Sequence, residues 1–169
     1  VLLHGWPDDA STWSLVAELL ASQGFRVIAP YLRGCGPTRF LNEHTSRSGQ
    51  LSALGQDVVD LVDALGLDRV ALVGHDWGAR AAAIAATELQ SSGRVSHLVL
   101  LWVGYGTNDP AQTLPLTQVH HYWYHWYMAL PRGAALVRDD RRALTRYIWD
   151  IGGAPGWRLP DDEFLGVLP

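Results

Sequence analysis

The segment Gly74-His75-Asp76-Trp77-Gly78 places a carboxylate between two glycines. An apolar run precedes it and an alanine-rich stretch follows it, so the pattern predicts a strand, a sharp turn and a helix. Glycines suit such a turn because side chains there would collide with the neighbouring strand and helix. The exposed N–H groups of a helix start favour an anion. We therefore expect Asp76 to be ionised and to project above the edge of a sheet.

A carboxylate at this position has two possible roles. As a nucleophile, Asp76 would displace a leaving group from an sp³ carbon and form an ester, which water then hydrolyses. As an N-cap, it would only satisfy backbone N–H groups of the following helix, a common use of Asp. The strand-to-helix setting and a second motif upstream favour the nucleophile.

The second motif is His4-Gly5-Trp6-Pro7, directly after the first apolar run of the chain. Together the two motifs resemble the oxyanion-hole turn and the nucleophile elbow of the α/β-hydrolase superfamily, and within it the epoxide hydrolase branch. The resemblance implies that the backbone N–H groups of Trp6 and Trp77 bind the oxyanion formed during ester hydrolysis. It also implies that His4 shapes the turn and does not act as a base.

Two further segments are similar to that family. Arg33 to Thr38 is similar to the loop after the next strand, but the family's Asp two residues before the Arg is Tyr31 here, which suggests a subgroup. The aromatic segment Tyr122–Tyr127 resembles the cap segment that donates a proton to the opening epoxide ring, and the match assigns this role to Tyr124. Alternatively, these aromatic side chains simply pack the cap.

Other activities stay open. Haloalkane and haloacid dehalogenases of this fold also use an elbow Asp, and Arg80, four residues after Asp76, could hold a substrate carboxylate. Trp6 stands where haloalkane dehalogenases typically carry Asn, and Trp77 where the haloacid branch typically carries Arg, so neither branch matches fully. A short, non-catalytic binding protein is the alternative from another class.

The chain starts without Met and ends at Pro169, inside the predicted cap. We expect it to be part of a longer hydrolase whose second cap tyrosine, late acid and catalytic histidine lie elsewhere, because none of its histidines occupies the family's base position. By itself the chain is expected to be inactive and prone to aggregation.

Alternating strand and helix patterns predict an α/β fold with a parallel sheet flanked by helices and the start of a helical cap. A change of composition near Gly104 predicts a partial hydrolase core over 1–104 and a partial cap over 105–169. Helix Ser14–Ser22 is expected to bury Leu15, Val16, Leu19 and Leu20. The predicted strands are 1–3, 26–29, 70–73 and 95–103, and the other predicted helices are 50–65, 78–89, 116–128 and 133–149.

Composition excludes several classes of protein. Hydrophobic residues make up 48% of the 169 residues, which predicts a chain in the size range of one ordinary soluble domain with a core. The net charge of −4 indicates no extended basic surface for nucleic acid. No apolar run is long enough to cross a membrane. The single cysteine, Cys35, fits a cytoplasmic location and a structural role. We expect a small-molecule substrate, no cofactor and no metal, since the histidines lack ligand spacing; the oligomeric state stays open.

Overall fold

The computed structural model describes residues 1–102, 111 and 113–166, and the chain divides into two compact units, Val1–Gly104 and Tyr105–Leu168. The strands are β1 (Leu2–Leu3), β2 (Val70–His75) and β3 (Val95–Leu101). The helices of the first unit are a 3₁₀ helix (Ala10–Trp13), α1 (Ser14–Ser22), α2 (Leu51–Ala64) and α3 (Trp77–Gln90). The helices of the second unit are α4 (Leu116–His121), α5 (Trp123–Met128), α6 (Pro131–Gly152) and α7 (Asp161–Gly166).

Strand β2 lies at the centre of a parallel sheet of order β1-β2-β3. Its residue Gly74 pairs with Leu3 on one side and with Leu100 on the other, so the three strands end together near Asp76. The predicted parallel sheet is therefore confirmed. Helical connections between the strands require this arrangement, because only a crossover can return the chain to run in the same direction.

The predicted strand Arg26–Ala29 is wrong as a regular strand. The segment does lie beside β1, on the side away from β2, and the carbonyl of Ile28 accepts a hydrogen bond of 2.8 Å from the N–H of Leu2. Because β1 is only two residues long, it offers too few groups for a repeating ladder along this segment.

The core of the first unit lies where α2 and α3 pack on the sheet. Gly55 allows the two helices to approach closely, since a Cβ atom there would lie 2.7 Å from Cβ of Ile84. Cys35 packs against this core, as predicted, and burial raises the pKa of its thiol. The most deeply buried core side chains are Leu3, Val58, Val62, Leu72, Ala81, Ala82 and Ala85.

The expected burial along α1 is wrong, although the helix bounds are those predicted. Leu15 is 81% exposed, Leu19 64% and Val16 40%, and Leu20 is only half-buried. A helix buries its apolar stripe only where another element covers it, and no described element covers this stripe. Strand β3 behaves similarly, since Leu98 to Leu101 are each between 37% and 45% exposed.

In the second unit, the predicted helix 116–128 is two helices. Tyr122 has φ −98° and ψ 16° and separates α4 from α5, and its ring contacts those of Tyr124 and His125. Consecutive aromatic residues are poor helix formers, which favours a break at this point. Helix α6 is also kinked, at Asp140. None of the described helices is long and apolar enough to cross a membrane.

Candidate active site

Asp76 occupies the turn between β2 and α3 in a rare backbone conformation. Its φ is 52° and its ψ is −116°, which costs a residue with a side chain about 1–3 kcal/mol. Although Asp76 stands at the N-cap position, its carboxylate makes no capping hydrogen bond. The N-cap alternative is therefore not realised, and the strained turn leaves the side chain available for another contact.

Three glycines allow the chain to close around Asp76. A Cβ at Gly74 would lie 2.5 Å from the backbone nitrogen of Ala79, and one at Gly78 would overlap the carbonyl of Leu3. On the other side, a Cβ at Gly5 would lie 2.6 Å from Cβ of Asp76. The expected collisions are confirmed at both glycines of the elbow, and the same requirement extends to the turn after β1.

The turn after β1 meets the carboxylate directly. The backbone N–H of Trp6 donates to Oδ1 of Asp76 at 3.1 Å. The N–H of Trp77 is the first of α3 and has no intrahelical acceptor. Oδ2 of Asp76 has no hydrogen-bond donor among the residues that the structure describes. One carboxylate oxygen is thus held by an N–H group while the other is available to react.

His4 is fully buried and acts as a structural spacer in this turn. The N–H of Leu32 donates to its Nε2 at 3.0 Å, so this nitrogen is an acceptor, and its Nδ1 must be the atom that donates to the carbonyl of Gly5 at 2.8 Å. Both ring nitrogens therefore have hydrogen-bond partners within the turn and its neighbouring loop. These contacts are those expected of a residue that shapes the turn.

The loop that begins at Tyr31 is braced differently from the family pattern. The Tyr31 ring packs on the α-carbon side of Gly36, where any Cβ would overlap it, and the Tyr31 carbonyl accepts a 2.9 Å hydrogen bond from the hydroxyl of Thr38. Arg33 forms a bidentate ion pair with Asp57 of α2, with both N···O distances at 2.6 Å. An aromatic contact and a carboxylate from a helix thus hold the loop that lacks the family's Asp.

Asp8, which the sequence analysis did not single out, lies beneath the elbow. Its side chain is 6% exposed and its Oδ2 lies 3.5 Å from Nδ1 of His75. The available signal was its position, two residues after the predicted oxyanion donor Trp6. The ring of Trp102 also lies near His75, at a centroid distance of 6.0 Å. Trp102 follows β3, has φ 50° and is 81% exposed.

Arg80 lies one turn into α3, and its backbone N–H donates to the carbonyl of Asp76 at 3.2 Å. The residue is partly buried, and its guanidinium group forms no ion pair with any carboxylate of the described residues. The predicted residues Trp6, Asp76, Trp77 and Arg80 thus come together in the first unit. Arg80 remains available to an acidic ligand.

The family model of the alpha/beta hydrolase fold matches residues 1–147. The chain belongs to this family. The match includes the turn after β1, the elbow at Asp76 and the aromatic segment, and the parallel sheet with Asp76 between β2 and α3 is the arrangement expected of it.

The names of individual relatives are more specific than that of the family. The chain is 34% identical to the soluble epoxide hydrolase of Corynebacterium sp. (strain C12), over 88% of this chain and 50% of the relative. Epoxide hydrolase B of Mycobacterium tuberculosis is 30% identical, over 90% of this chain and 46% of the relative. A solved structure from Klebsiella pneumoniae, named "putative epoxide hydrolase", superposes with a TM-score of 0.85 and is 39% identical, over 98% of this chain and 55% of that structure. The chain spans about half the length of the curated relatives it matches.

Tyr124, the predicted proton donor, lies on α5 in the second unit. Its ring is in contact with several others of its own segment, 4.6 Å from that of His125, 6.2 Å from Trp123 and 6.5 Å from Tyr122. Within the described part of the chain, no three His, Cys, Asp or Glu side chains are grouped as a possible metal site.

Proposed function

We propose that the protein hydrolyses epoxides through an ester on Asp76. The observation that carries this proposal is the carboxylate itself, which sits at a strained turn with Oδ1 bound by the N–H of Trp6 and Oδ2 without a donor in the described residues. Relatives named epoxide hydrolases, aligned over nearly the whole chain, support this reaction over others of the fold.

In the first step, Oδ2 of Asp76 attacks a ring carbon of the epoxide. A bond forms between oxygen and carbon, the ring C–O bond breaks, and the ring oxygen leaves as an alkoxide that needs a proton. We assign the donor role to Tyr124 from the similarity of its segment to the family's cap. A phenol, whose ordinary pKa is about 10, is neutral at physiological pH and can supply that proton.

In the second step, Oδ1 becomes the carbonyl oxygen of the ester. Water adds to the carboxyl carbon, and negative charge develops on Oδ1, from which the Trp6 nitrogen lies 3.1 Å away. The N–H of Trp77 would be the second donor. The intermediate then breaks its bond to the original Oδ2, which leaves within the diol, so Asp76 keeps one oxygen from water.

The water needs a base, and we propose that it is a histidine other than His4 and His75. His4 has both nitrogens engaged and His75 faces Asp8. In this proposal 1–104 form part of the hydrolase core, 105–169 form part of the cap, the substrate is a small epoxide and the location is the cytoplasm. No cofactor enters either step.

The origin of the product oxygen tests this mechanism. The protein is expressed from the complete coding frame that contains this sequence and is allowed one turnover in ¹⁸O-water with enzyme in excess. We expect ¹⁸O in the peptide that carries Asp76 and none in the diol. Label in the diol with Asp76 unlabelled would show that Asp76 only activates water. The variant Asp76→Asn is the control for label entering the peptide by other routes.

Arg80 supports dehalogenation of a haloacid as a second candidate, because its guanidinium group has no carboxylate partner in the described part of the chain. The substrate carboxylate would then bind Arg80 while Asp76 displaces the halide. Halide release from a 2-haloacid that is lost in Arg80→Gln, without diol formation from epoxides, would favour this candidate. Epoxide turnover that is unchanged in Arg80→Gln would favour the first.

A further inference from the structure

The turn after β1 touches the elbow at two neighbouring points. The N–H of Trp6 binds Asp76 Oδ1 at 3.1 Å, and two residues later Asp8 Oδ2 lies 3.5 Å from Nδ1 of His75, the residue before Asp76. Between these contacts, the chain has no helix or strand hydrogen bonds to hold it, since the 3₁₀ helix begins only at Ala10. The position of the Trp6 N–H therefore depends on how this turn is anchored.

Burying the carboxylate of Asp8 costs free energy unless a partner group stabilises its charge. Its side chain is 6% exposed, and a buried carboxylate needs a partner of opposite charge. Among the described residues, His75 is the one group within ion-pair distance of it. The 3.5 Å contact is long and Nδ1 has no hydrogen-bond partner of good geometry, so the interaction is chiefly one of charge.

The surroundings favour a charged His75. Its contact with the Asp8 carboxylate raises the pKa of His75, partial burial opposes this, and the charges of Asp8 and then Asp76 raise it further. Among the described residues, these two carboxylates are the charged groups that face His75, from the turn after β1 and from the elbow. Of the described residues that follow β3, the uncharged ring of Trp102 lies near His75.

We infer that Asp8 and His75 are positioning residues, which hold the turn after β1 against the elbow so that the Trp6 N–H stays in reach of Asp76 Oδ1. The inference rests on the proposed function and concerns its second step. During ester formation, negative charge leaves the carboxylate, so a displaced Trp6 N–H costs little. During ester hydrolysis, negative charge develops on Oδ1, so the same displacement slows the step.

The experiment compares Asp8→Asn with Asp9→Asn in the protein expressed from the complete coding frame. Both changes remove one negative charge from adjacent positions, but Asp9 caps the 3₁₀ helix through Ser11 and has no contact with His75. Rapid quench and mass spectrometry of the Asp76 peptide measure how fast the ester forms and how fast it disappears. In Asp8→Asn we expect ester hydrolysis to slow by about tenfold with ester formation unchanged. In Asp9→Asn both rates should match those of the wild type.

His75→Gln tests the pair from its other member and replaces Asp8→Asn if that variant does not fold. It should lengthen the lifetime of the ester by a similar factor, and the double variant should add little, because both single changes remove the same interaction. A structural role alone would lower the melting temperature and reduce both rates together.

The pH dependence supplies a second readout. The folded pKa of His75 is raised, so the ring stays protonated beside the Asp8 carboxylate up to a higher pH and loses its charge as the pH rises through that pKa. The ratio of ester hydrolysis rates, wild type over Asp8→Asn, should therefore fall towards one across this interval. Comparing the ratio removes the titration of the water-activating base, which both proteins share. NMR titration of the His75 ring should show a lower midpoint in Asp8→Asn and an unchanged one in Asp9→Asn.

The results test the charge pair, the positioning role and the proposed function separately. An unchanged His75 midpoint in Asp8→Asn would overturn the charge pair. A shifted midpoint with an unchanged ester lifetime would overturn the positioning role. If the wild type forms no ester with epoxides at all, both the proposed function and the positioning role are wrong. If the wild type forms the ester and its lifetime is the same in Asp8→Asn, only the positioning role is wrong.

Discussion

At the turn around Asp76, each residue type is required by its own close contact. In the aromatic segment Tyr122–Tyr127, by contrast, each ring packs against several others. The glycines at 5, 74 and 78 each exclude a Cβ atom, and Asp76 has an unusual φ and a bound oxygen. In the aromatic segment, rings touch rings at 4.6 to 6.5 Å. Backbone contacts at short range tolerate almost no change, while a cluster of large side chains can repack. Geometry therefore supports a role for the elbow, whereas the role of Tyr124 rests on the resemblance of its segment to the family's cap.

The largest effect is expected from Asp76→Asn. The amide keeps the shape and can still accept a hydrogen bond from Trp6, but it is a far weaker nucleophile, so kcat should fall on the order of 10⁴-fold. Steady-state turnover of an epoxide measures this loss, and the melting temperature should stay the same or rise because the elbow strain is unchanged. Asp60→Asn, an exposed carboxylate on α2, is the matched control and should keep full activity. Comparable losses in both variants would contradict the special role of Asp76.

The second-largest effect is expected from replacing a glycine of the elbow, which tests whether the turn has room for a side chain. Gly78→Ala places a Cβ against the backbone of β1, which cannot move aside, so the free energy of unfolding should fall by about 3 kcal/mol. Gly49→Ala is the comparison, because no atom lies within 4 Å of its Cβ position. Its effect should stay within about 0.5 kcal/mol. Denaturant titration measures both, and equal stabilities would show that the elbow is looser than described.

Tyr124→Phe is expected to have the smallest of these effects. Removing one hydroxyl that protonates the leaving oxygen should lower kcat by about 10- to 100-fold, since a second cap tyrosine is expected to share the task. Tyr122→Phe and Tyr127→Phe lie in the same cluster and should each change kcat by less than about threefold. If all three variants behave alike, the aromatic segment only packs the cap, and Tyr124 has no separate role.

Helices α1 and α2 show where sequence patterns stop being informative. Both have apolar residues at three- and four-residue spacing, and the predicted bounds of α1 are those observed. Yet α2 buries Leu54, Val58 and Val62, while α1 leaves Leu15 81% exposed. Periodicity identifies which face of a helix is apolar, but burial depends on a packing partner. The sequence of the helix does not show whether another element covers that face.

The sequence patterns also did not predict the breaks inside helices. The interruption at Tyr122 and the kink at Asp140 fall within segments whose apolar spacing continues. The segment at residues 26–29 has a strand composition but too short a partner to form a ladder. At residues 26–29 the neighbouring strand decided against a local preference for a strand. The break at Tyr122 has a local cause in the consecutive aromatic residues, and at Asp140 the side chain accepts a local hydrogen bond from the N–H of Ala143.

The sequence alone determined the order of β1, α1, α2, β2, α3 and β3 and the elbow around Asp76, because this sharp turn can close only if the residues at 74 and 78 have no side chains. Glycines at 74 and 78 and an acid between them therefore predicted both a geometry and a chemistry. Only the tertiary structure decided that Trp6 N–H binds Oδ1, that Tyr31 and Asp57 brace the loop, and that Asp8 lies beneath His75. Asp8 and Asp9 are equivalent by sequence, yet one is buried and the other caps a helix, because burial of a charge depends on which groups the fold brings beside it.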